Sequence, residues 1–382
     1  MKRVVWILVV CLLLGSFPIT AGAVELDIGG KSALLMDIAT GTVLYEKNAH
    51  EALPPASVTK VMTMLLIMEA IDSGKIGWND TVIASEAASA KGGSQIYLKV
   101  GEQMSVTDMV KSIAVSSAND CACAMAEHIA GSEAAFVQLM NQRAKELGMN
   151  DTNFVNCTGL DDAPDAKNHR TSAYDIALMS RELMNNHPEI QKFTTIWMDT
   201  VRDGTFGLSN TNKLVRFYPG ATGLKTGFTA EAGYCLSATA QRDSIGLIAV
   251  VMGAKTSQER FAACKSLLDY GFANYALVKP QGLLGEVQVK LGEMDSVVAV
   301  PAEPVEVLVD KAQANQVQVK TVLEESVAAP VSKGQKLGTL TVRVGEQVIF
   351  QTPMIAQESV SRLTWWDLFL RILRTVAMAK NG

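Results

Sequence analysis

The alternation of apolar and polar residues changes character several times along the chain. Ser32-Ala33-Leu34-Leu35-Met36-Asp37 and Val43-Leu44-Tyr45 flank the turn-forming Ala39-Thr40-Gly41-Thr42, which predicts an antiparallel hairpin between residues 31 and 47. After Pro54-Pro55, Ser57 precedes an almost uninterrupted apolar run over residues 61–68, a helix expected to be buried nearly all round. The signals then stay mainly helical, over 107–115, 119–130, 133–147 and 172–186. Strand-like apolar runs return at 234–239 and 245–252, and a last long helix is expected over 257–275. Strands at both ends with helices between them predict an α/β fold whose sheet is closed by distant parts of the chain.

From Pro280 the period shifts to two, with Val287, Val289 and Leu291, then Val305, Val307 and Val309, then Leu340, Val342 and Val344. Short alternating strands with glycine turns predict a small β-sandwich domain over residues 279–355. It holds few residues able to do chemistry, so a spacer or docking role is expected of it. In residues 356–382, Trp365, Leu368, Phe369, Ile372, Leu373 and Val376 share one face of a helical wheel, opposite Asp367, Arg371 and Arg374. A basic amphipathic helix with paired tryptophans fits the surface of an anionic membrane, and its charges interrupt any span across the bilayer. A helix docked on the protein's own core is the alternative.

Of the 382 residues 48% are hydrophobic and 19% charged, with a formal net charge of -5 and no long run of like charge. That excludes a disordered chain and a strongly basic nucleic-acid binder. Lys2 and Arg3, the apolar residues 4–14 and Ala21-Gly22-Ala23 predict a signal peptide over residues 1–23, the alternative being an uncleaved anchor for which the run is too short, so the mature protein is expected to be exported. Once Cys11 leaves with it, Cys121, Cys123, Cys157, Cys235 and Cys264 remain, an odd set that makes no disulfide framework. Buried free thiols are expected, with a single disulfide as the alternative. His50, His128, His169 and His187 show no metal-ligand spacing, and neither a metal nor a cofactor is expected.

Three short motifs follow one another: Ser57-Val58-Thr59-Lys60, Ser117-Ala118-Asn119 and Lys225-Thr226-Gly227. Each is weak alone, and the ordered set behind an export signal is strong. A serine hydroxyl is a poor nucleophile without a base within about 3 Å, and a lysine at its ordinary pKa near 10.4 is protonated and cannot be that base. Three residues apart at a buried helix start, Lys60 would lie over Ser57 with its pKa lowered. The plain alternative makes Ser57 an N-cap and Lys60 a solvated first-turn residue. Ser117 and Asn119 offer a proton relay and an amide for a peptide carbonyl, although Asn119 could also be a cap. Residues 223–229 are expected to form an edge strand lining a cleft. There Lys225 provides a cation for a substrate carboxylate, Thr226 and Thr229 provide hydroxyls, and Gly227 allows close backbone approach.

Taken together, S-x-x-K, S-x-N and K-T-G resemble the signature of penicillin-binding proteins and serine β-lactamases. The order of signal peptide, catalytic domain (24–278), small β-domain and terminal helix resembles the low-molecular-mass D-alanyl-D-alanine carboxypeptidases of the peptidase S11 type. The stretches Ser116-Ser117-Ala118-Asn119-Asp120 and Gly233-Tyr234 carry the resemblance further. It implies an α/β (α+β) serine β-lactamase/transpeptidase-like catalytic domain, an antiparallel sheet with a helical subdomain, followed by a small all-β domain and an amphipathic helix. It also implies an acyl-enzyme on Ser57, with Lys60 and Ser117 catalytic. Asn119, Lys225, Thr226, Gly227, Phe228 and Thr229 would bind substrate, and the backbone N–H groups of Ser57 and Phe228 would form the oxyanion hole. The implied partners are a peptidoglycan stem peptide, β-lactam antibiotics as covalent inhibitors, and the outer face of the cytoplasmic membrane. A class A β-lactamase places a glutamate between S-x-N and K-T-G to activate water, and the chain has no Glu between Leu147 and Arg181. A catalytically silent wall-binding scaffold is the rival of a different class, and none of the expected catalytic residues is missing.

Overall fold

The protein's structure, a computed structural model, describes residues 26–162, 165–367 and 369–370. The expected signal peptide over 1–23 and residues 371–382 of the expected amphipathic helix lie outside the described residues. The predicted hairpin is strand β1 (Ser32–Asp37) with β2 (Val43–Lys47), Leu35 facing Tyr45. Five longer helices follow: α1 (Lys60–Asp72), α2 (Val106–Ser116), α3 (Asn119–Ala130), α4 (Glu133–Glu146) and α5 (Ala173–Asn186). Ser105, Ser132 and Ser172 cap α2, α4 and α5, each hydroxyl accepting a backbone N–H of the first turn. Such a cap contributes about 1 kcal/mol.

Strands β3 (Ala221–Thr229), β4 (Gly233–Arg242) and β5 (Ile245–Ala254) complete an antiparallel five-stranded sheet of order β2-β1-β5-β4-β3, after which α6 (Ser257–Asn274) runs. Leu34 pairs with Val250, so the two ends of the α/β region close the sheet, and β3 lies at its edge. Side chains alternate across the pleat. Ala33, Leu35, Leu247, Ala249 and Val251 pack with Cys264, Leu267 and Phe272 of α6. Leu34, Met36, Ile248 and Val250 face the helical region on the other side. Both sheet faces are therefore covered, which explains why β5 reads as a continuous apolar run. Helix α1 is buried from Lys60 through Met68. Truncating one of its apolar side chains, as in Leu65→Ala, costs about 2–5 kcal/mol.

The all-β part comprises β6 (Tyr275–Val278), β7 (Gly285–Lys290), β8 (Ser296–Pro301), β9 (Val307–Asp310), β10 (Val317–Leu323), β11 (Ser326–Ala328), β12 (Lys336–Val344) and β13 (Gln347–Ala356). Six of these form a sheet of order β10-β12-β13-β8-β7-β11, and β6 pairs with β9. Val287, Val297, Leu340, Val342 and Met354 fill its core. This part differs from the expected span at both ends. It begins at β6, directly after α6, because Val278 pairs with Val307. It continues past 355 because Val360 bridges Val331, Arg362 bridges Gly292, and Leu363 N–H donates to the Leu291 carbonyl. Helical backbone starts only at Trp365. A cleft of about 760 Å3 opens between the two parts at the Thr222 end of β3, lined in part by Arg181, Gln241, Lys279 and Phe350. The K-T-G residues meet the Ser57 turn toward the opposite end of that strand.

Candidate active site

Ser57 lies in a 3-10 turn (Ala56–Thr59) that feeds into α1, rather than in the α-helix itself. No side chain caps either helix start, so the capping role for Ser57 is not observed. Lys60 is fully buried. Its Nζ lies 3.0 Å from Ser57 Oγ and 2.7 Å from the Thr158 carbonyl, to which it donates. Burial drives the Lys60 pKa down to about 7, against the opposing pull of Cys157 and Asp120. A neutral amine can donate to Thr158 while its lone pair accepts the Ser57 proton, so one side chain is both held and left basic.

The loop that supplies the Thr158 carbonyl is anchored from elsewhere. Asn156 Oδ1 accepts the N–H groups of Thr158 (3.1 Å) and Gly159 (2.7 Å). Glu133 accepts the Cys157 N–H at 3.2 Å and pairs with Lys91 at 2.6 Å. Burial pushes the Glu133 carboxyl up, and Lys91 outweighs it, holding it below its ordinary value. Thr63 Oγ1 donates to the Cys157 carbonyl at 2.6 Å.

Ser117 ends α2 with φ of 63°, a left-handed conformation that costs a non-glycine residue on the order of 1 kcal/mol. Asn119 opens α3 without capping it: its Nδ2 donates to the Gly92 carbonyl at 2.7 Å, and among the described residues its buried Oδ1 has no hydrogen-bond partner. The next residue, Asp120, accepts the N–H groups of Ile96 (3.1 Å) and Leu98 (3.0 Å) and so ties down the segment beside Asn119.

Edge strand β3 completes the convergence. Thr226 Oγ1 donates to Thr211 Oγ1 at 2.7 Å, and Thr211 N–H donates to the Val115 carbonyl of α2, two residues before Ser117. A Cβ on Gly227 would lie 2.7 Å from the Pro55 carbonyl oxygen and 3.0 Å from Ser57 N, so glycine is what lets β3 reach the serine turn. Arg260 of α6 donates to the Gly227 and Cys235 carbonyls at 2.9 and 3.2 Å, tying β3 to β4. Phe228 is exposed, its ring 4.3 Å from that of Tyr234.

Two residues depart from their expected state. Lys225 is 1% exposed and donates to the Thr226 carbonyl at 2.8 Å, instead of standing out as a ready cation. Burial, and then the neighbouring cations Lys60 and Arg260, push its pKa well down. The Thr229 hydroxyl accepts the Ala232 N–H at 3.1 Å and so shapes the turn between β3 and β4. Sequence patterns missed Glu133, Asn156, Thr211 and Arg260, and gave no role to Asp120 or to the Thr158 carbonyl. Asp120 and Thr158 both lie in stretches that resemble the family's pattern. All five described cysteines are buried and free. Among the described residues, no group of His, Cys, Asp and Glu is arranged to hold a metal ion.

The model of the D-alanyl-D-alanine carboxypeptidase family matches residues 19–256, and that of the penicillin-binding protein 5 C-terminal domain matches residues 272–362. D-alanyl-D-alanine carboxypeptidase DacF of Bacillus subtilis is 43% identical over 376 residues, 95% of each chain. DacC of Escherichia coli is 35% identical over 348 residues, covering 87% of this chain and 85% of its own. Among solved structures, penicillin-binding protein 5 of Haemophilus influenzae superposes with a TM-score of 0.77 at 30% identity, over 89% of this chain and all of its own. Penicillin-binding protein D2 of Listeria monocytogenes, solved in a cefotaxime-bound form, superposes with 0.60 at 34% identity, over 65% of this chain and 99% of its own. With Lys60 against Ser57, Gly227 of the K-T-G strand against the serine turn, and matches that run nearly end to end, the chain belongs to the D-alanyl-D-alanine carboxypeptidase family.

Proposed function

We propose that Ser57 is the nucleophile through which this carboxypeptidase removes the terminal D-Ala of peptidoglycan pentapeptides. The observation that carries the proposal is the fully buried Lys60 amine, held near pKa 7 at 3.0 Å from Ser57 Oγ. Ser57 Oγ attacks the carbonyl between the last two D-Ala residues and its proton passes to Lys60 Nζ. The resulting oxyanion faces the backbone N–H groups of Ser57 and Phe228, where loss of one such donor costs about 3–4 kcal/mol. As the C–N bond breaks, the leaving amine takes a proton relayed through Ser117, and Ser57 keeps the acyl group as an ester. Water then attacks the ester, Lys60 again accepting a proton, and Ser57 is released.

Asn119 positions the peptide; its Oδ1 is buried and has no partner among the described residues, so a small shift that uncovers it would let it accept a peptide N–H. Lys225 and Thr226 take the terminal carboxylate, whose negative charge restores the ammonium form that burial disfavours. Gly227 gives the strand its close approach, and Thr229 frames the site through its turn. No cofactor enters these steps. β-Lactams, which mimic the D-Ala-D-Ala dipeptide, acylate the same serine.

The protein works outside the cytoplasm, where its substrate is. The charged and apolar character of residues 1–23 supports export. Exposed Trp365 and Trp366, with Trp365 stacked on Phe369 at 5.6 Å, support attachment to the outer face of the cytoplasmic membrane through the end of the expected 356–382 segment, from Trp365 onward. Intact-mass analysis of wild type and Ser57→Ala with benzylpenicillin, followed by an assay for free D-Ala from a pentapeptide, tests the central reading. A long-lived adduct that needs Ser57, together with D-Ala release, is expected. Rapid antibiotic turnover without D-Ala release would establish a β-lactamase, and no adduct would establish a scaffold.

A further inference from the structure

The peptide joining Ala56 to Ser57 carries one of the two amides the oxyanion needs, and its orientation is held from a distance. Ala56 has φ of 48°, a strained value for alanine that persists only where the surroundings over-determine it. Its carbonyl accepts Thr59 Oγ1 at 2.8 Å. Thr59 Oγ1 in turn lies 2.8 Å from His169 Nε2, and His169 Nδ1 accepts the Val155 N–H at 3.0 Å.

These partners fix the order of the protons. Val155 N–H can only donate, so Nδ1 carries no proton and the neutral ring holds its proton on Nε2. Nε2–H therefore donates to Thr59 Oγ1, which leaves the hydroxyl proton for the Ala56 carbonyl. Ala56, Thr59 and His169 are all buried, and the Phe154 ring meets His169 edge-on at 5.7 Å. Burial, with the cations Arg170 and Lys60, holds the imidazole pKa near 4, which keeps the ring neutral at ordinary pH. Carbonyl and N–H of a trans peptide point in opposite directions. Pinning the Ala56 carbonyl thus aims the Ser57 N–H, whose nitrogen lies beside Gly227 of β3.

We propose that His169 is a positioning residue for acyl transfer, acting through Thr59 to hold the Ala56–Ser57 peptide so that the Ser57 N–H faces the developing oxyanion. The inference rests on Ser57 as the nucleophile. It is tested on the full chain with two pairs of variants. His169→Gln keeps an N–H donor near the Nε2 position, whereas His169→Asn reaches only as far as Nδ1. Thr59→Ser keeps the relay, whereas Thr59→Val fills the same volume without it. Three quantities are measured: benzylpenicillin acylation rate, the 15N-amide resonance of Ser57, and melting temperature.

His169→Asn and Thr59→Val are expected to acylate about 10- to 100-fold more slowly, less than or comparable to the loss of a whole oxyanion donor, with a displaced Ser57 resonance. His169→Gln and Thr59→Ser should stay within about threefold of wild type with the resonance in place, although buried-site changes of this kind lower stability in all four. Rates that track melting temperature regardless of which bond survives, or a Ser57 amide unmoved in His169→Asn and Thr59→Val, would overturn the proposal. A wild type that benzylpenicillin does not acylate sinks the nucleophile assignment instead. In that case the Ser57 resonance still decides whether His169 sets the peptide.

Discussion

Gly227 and Ser57 approach so closely that one methyl group on the glycine would sit 3.0 Å from the backbone nitrogen of the serine. The neighbouring obstacle, the Pro55 carbonyl oxygen at 2.7 Å, is also backbone and cannot swing aside. Gly227→Ala therefore has to push β3 away from the serine turn. Acylation by benzylpenicillin should slow about 100-fold, the usual cost of an ångström-scale misplacement. Melting temperature should fall by the equivalent of about 1–3 kcal/mol. An alanine variant that acylates at the wild-type rate would show that strand and turn need no such contact.

With Lys60 as the proposed base, its pKa of about 7 sets the expected pH dependence. The base in that reading is the unprotonated amine, whose fraction grows as pH rises through the pKa. Acylation should climb roughly tenfold per pH unit below 7 and level off above it. Lys60→Arg, which stays protonated, should lose about 10²–10⁴-fold across the whole range. A flat profile between pH 5 and 8 in the wild type would remove Lys60 from the role of base.

Neutral His169 ties folding to acid as well. Its pKa falls from an ordinary 6.5 to about 4, chiefly through burial. Between those values the unfolded chain binds the proton and the folded chain does not. Stability is then complete above about pH 6.5 and declines as pH falls toward 4, by about 3 kcal/mol for this group. Urea titrations of wild type and His169→Gln should differ in slope against pH within that window, the variant being flatter. Parallel curves would mean that His169 titrates normally.

Glu133 acts on the site from the start of α4, by accepting the Cys157 N–H one residue before the Thr158 carbonyl that anchors Lys60. Glu133→Gln removes the charge facing Lys91 and weakens the anchor. A loss of about 1–3 kcal/mol on urea unfolding is expected, together with slower acylation. Adding Lys91→Met should recover part of the stability, because it withdraws the stranded cation. If the double variant is no more stable than the single, the pair contributes nothing of its own.

Membrane attachment can be separated from the all-β part by cutting after Leu363, the last residue seen to bond it. A chain ending there should keep its fold and its reaction with benzylpenicillin yet stop sedimenting with anionic vesicles. Continued sedimentation would place the attachment elsewhere.

Much of this molecule can be read from the chain because periodicity reports which side of an element is buried. The hairpin, α1 through α6 and the strands around Tyr234 and Val250 follow from that alone. The motifs also identify the residues that meet, since S-x-x-K, S-x-N and K-T-G each place reactive side chains at short spacing. Long-range partners are different in kind. Thr158 contributes a carbonyl, which any residue could supply, and Glu133 and Thr211 reach the site only through folding. The state of Lys225 is not legible in the chain for the same reason: its type announces a charge, while its burial, with Lys60 and Arg260 nearby, disfavours that charge.

The pairing of Leu34 with Val250 bears on when the serine becomes reactive. A chain emerging amino end first, from a ribosome or a translocation pore, presents Ser57 and Lys60 early. Strand β3, and β5 to which β1 must pair, arrive only after the whole helical region has passed. Until then β1 has one neighbour instead of two, and neither Gly227 nor Phe228 is at hand to complete the proposed oxyanion site. Contacts this distant in sequence form late and slowly. With Ser57 as the proposed nucleophile, this topology is expected to keep it unreactive during synthesis, so that covalent labelling by penicillin would gauge how many chains have finished folding.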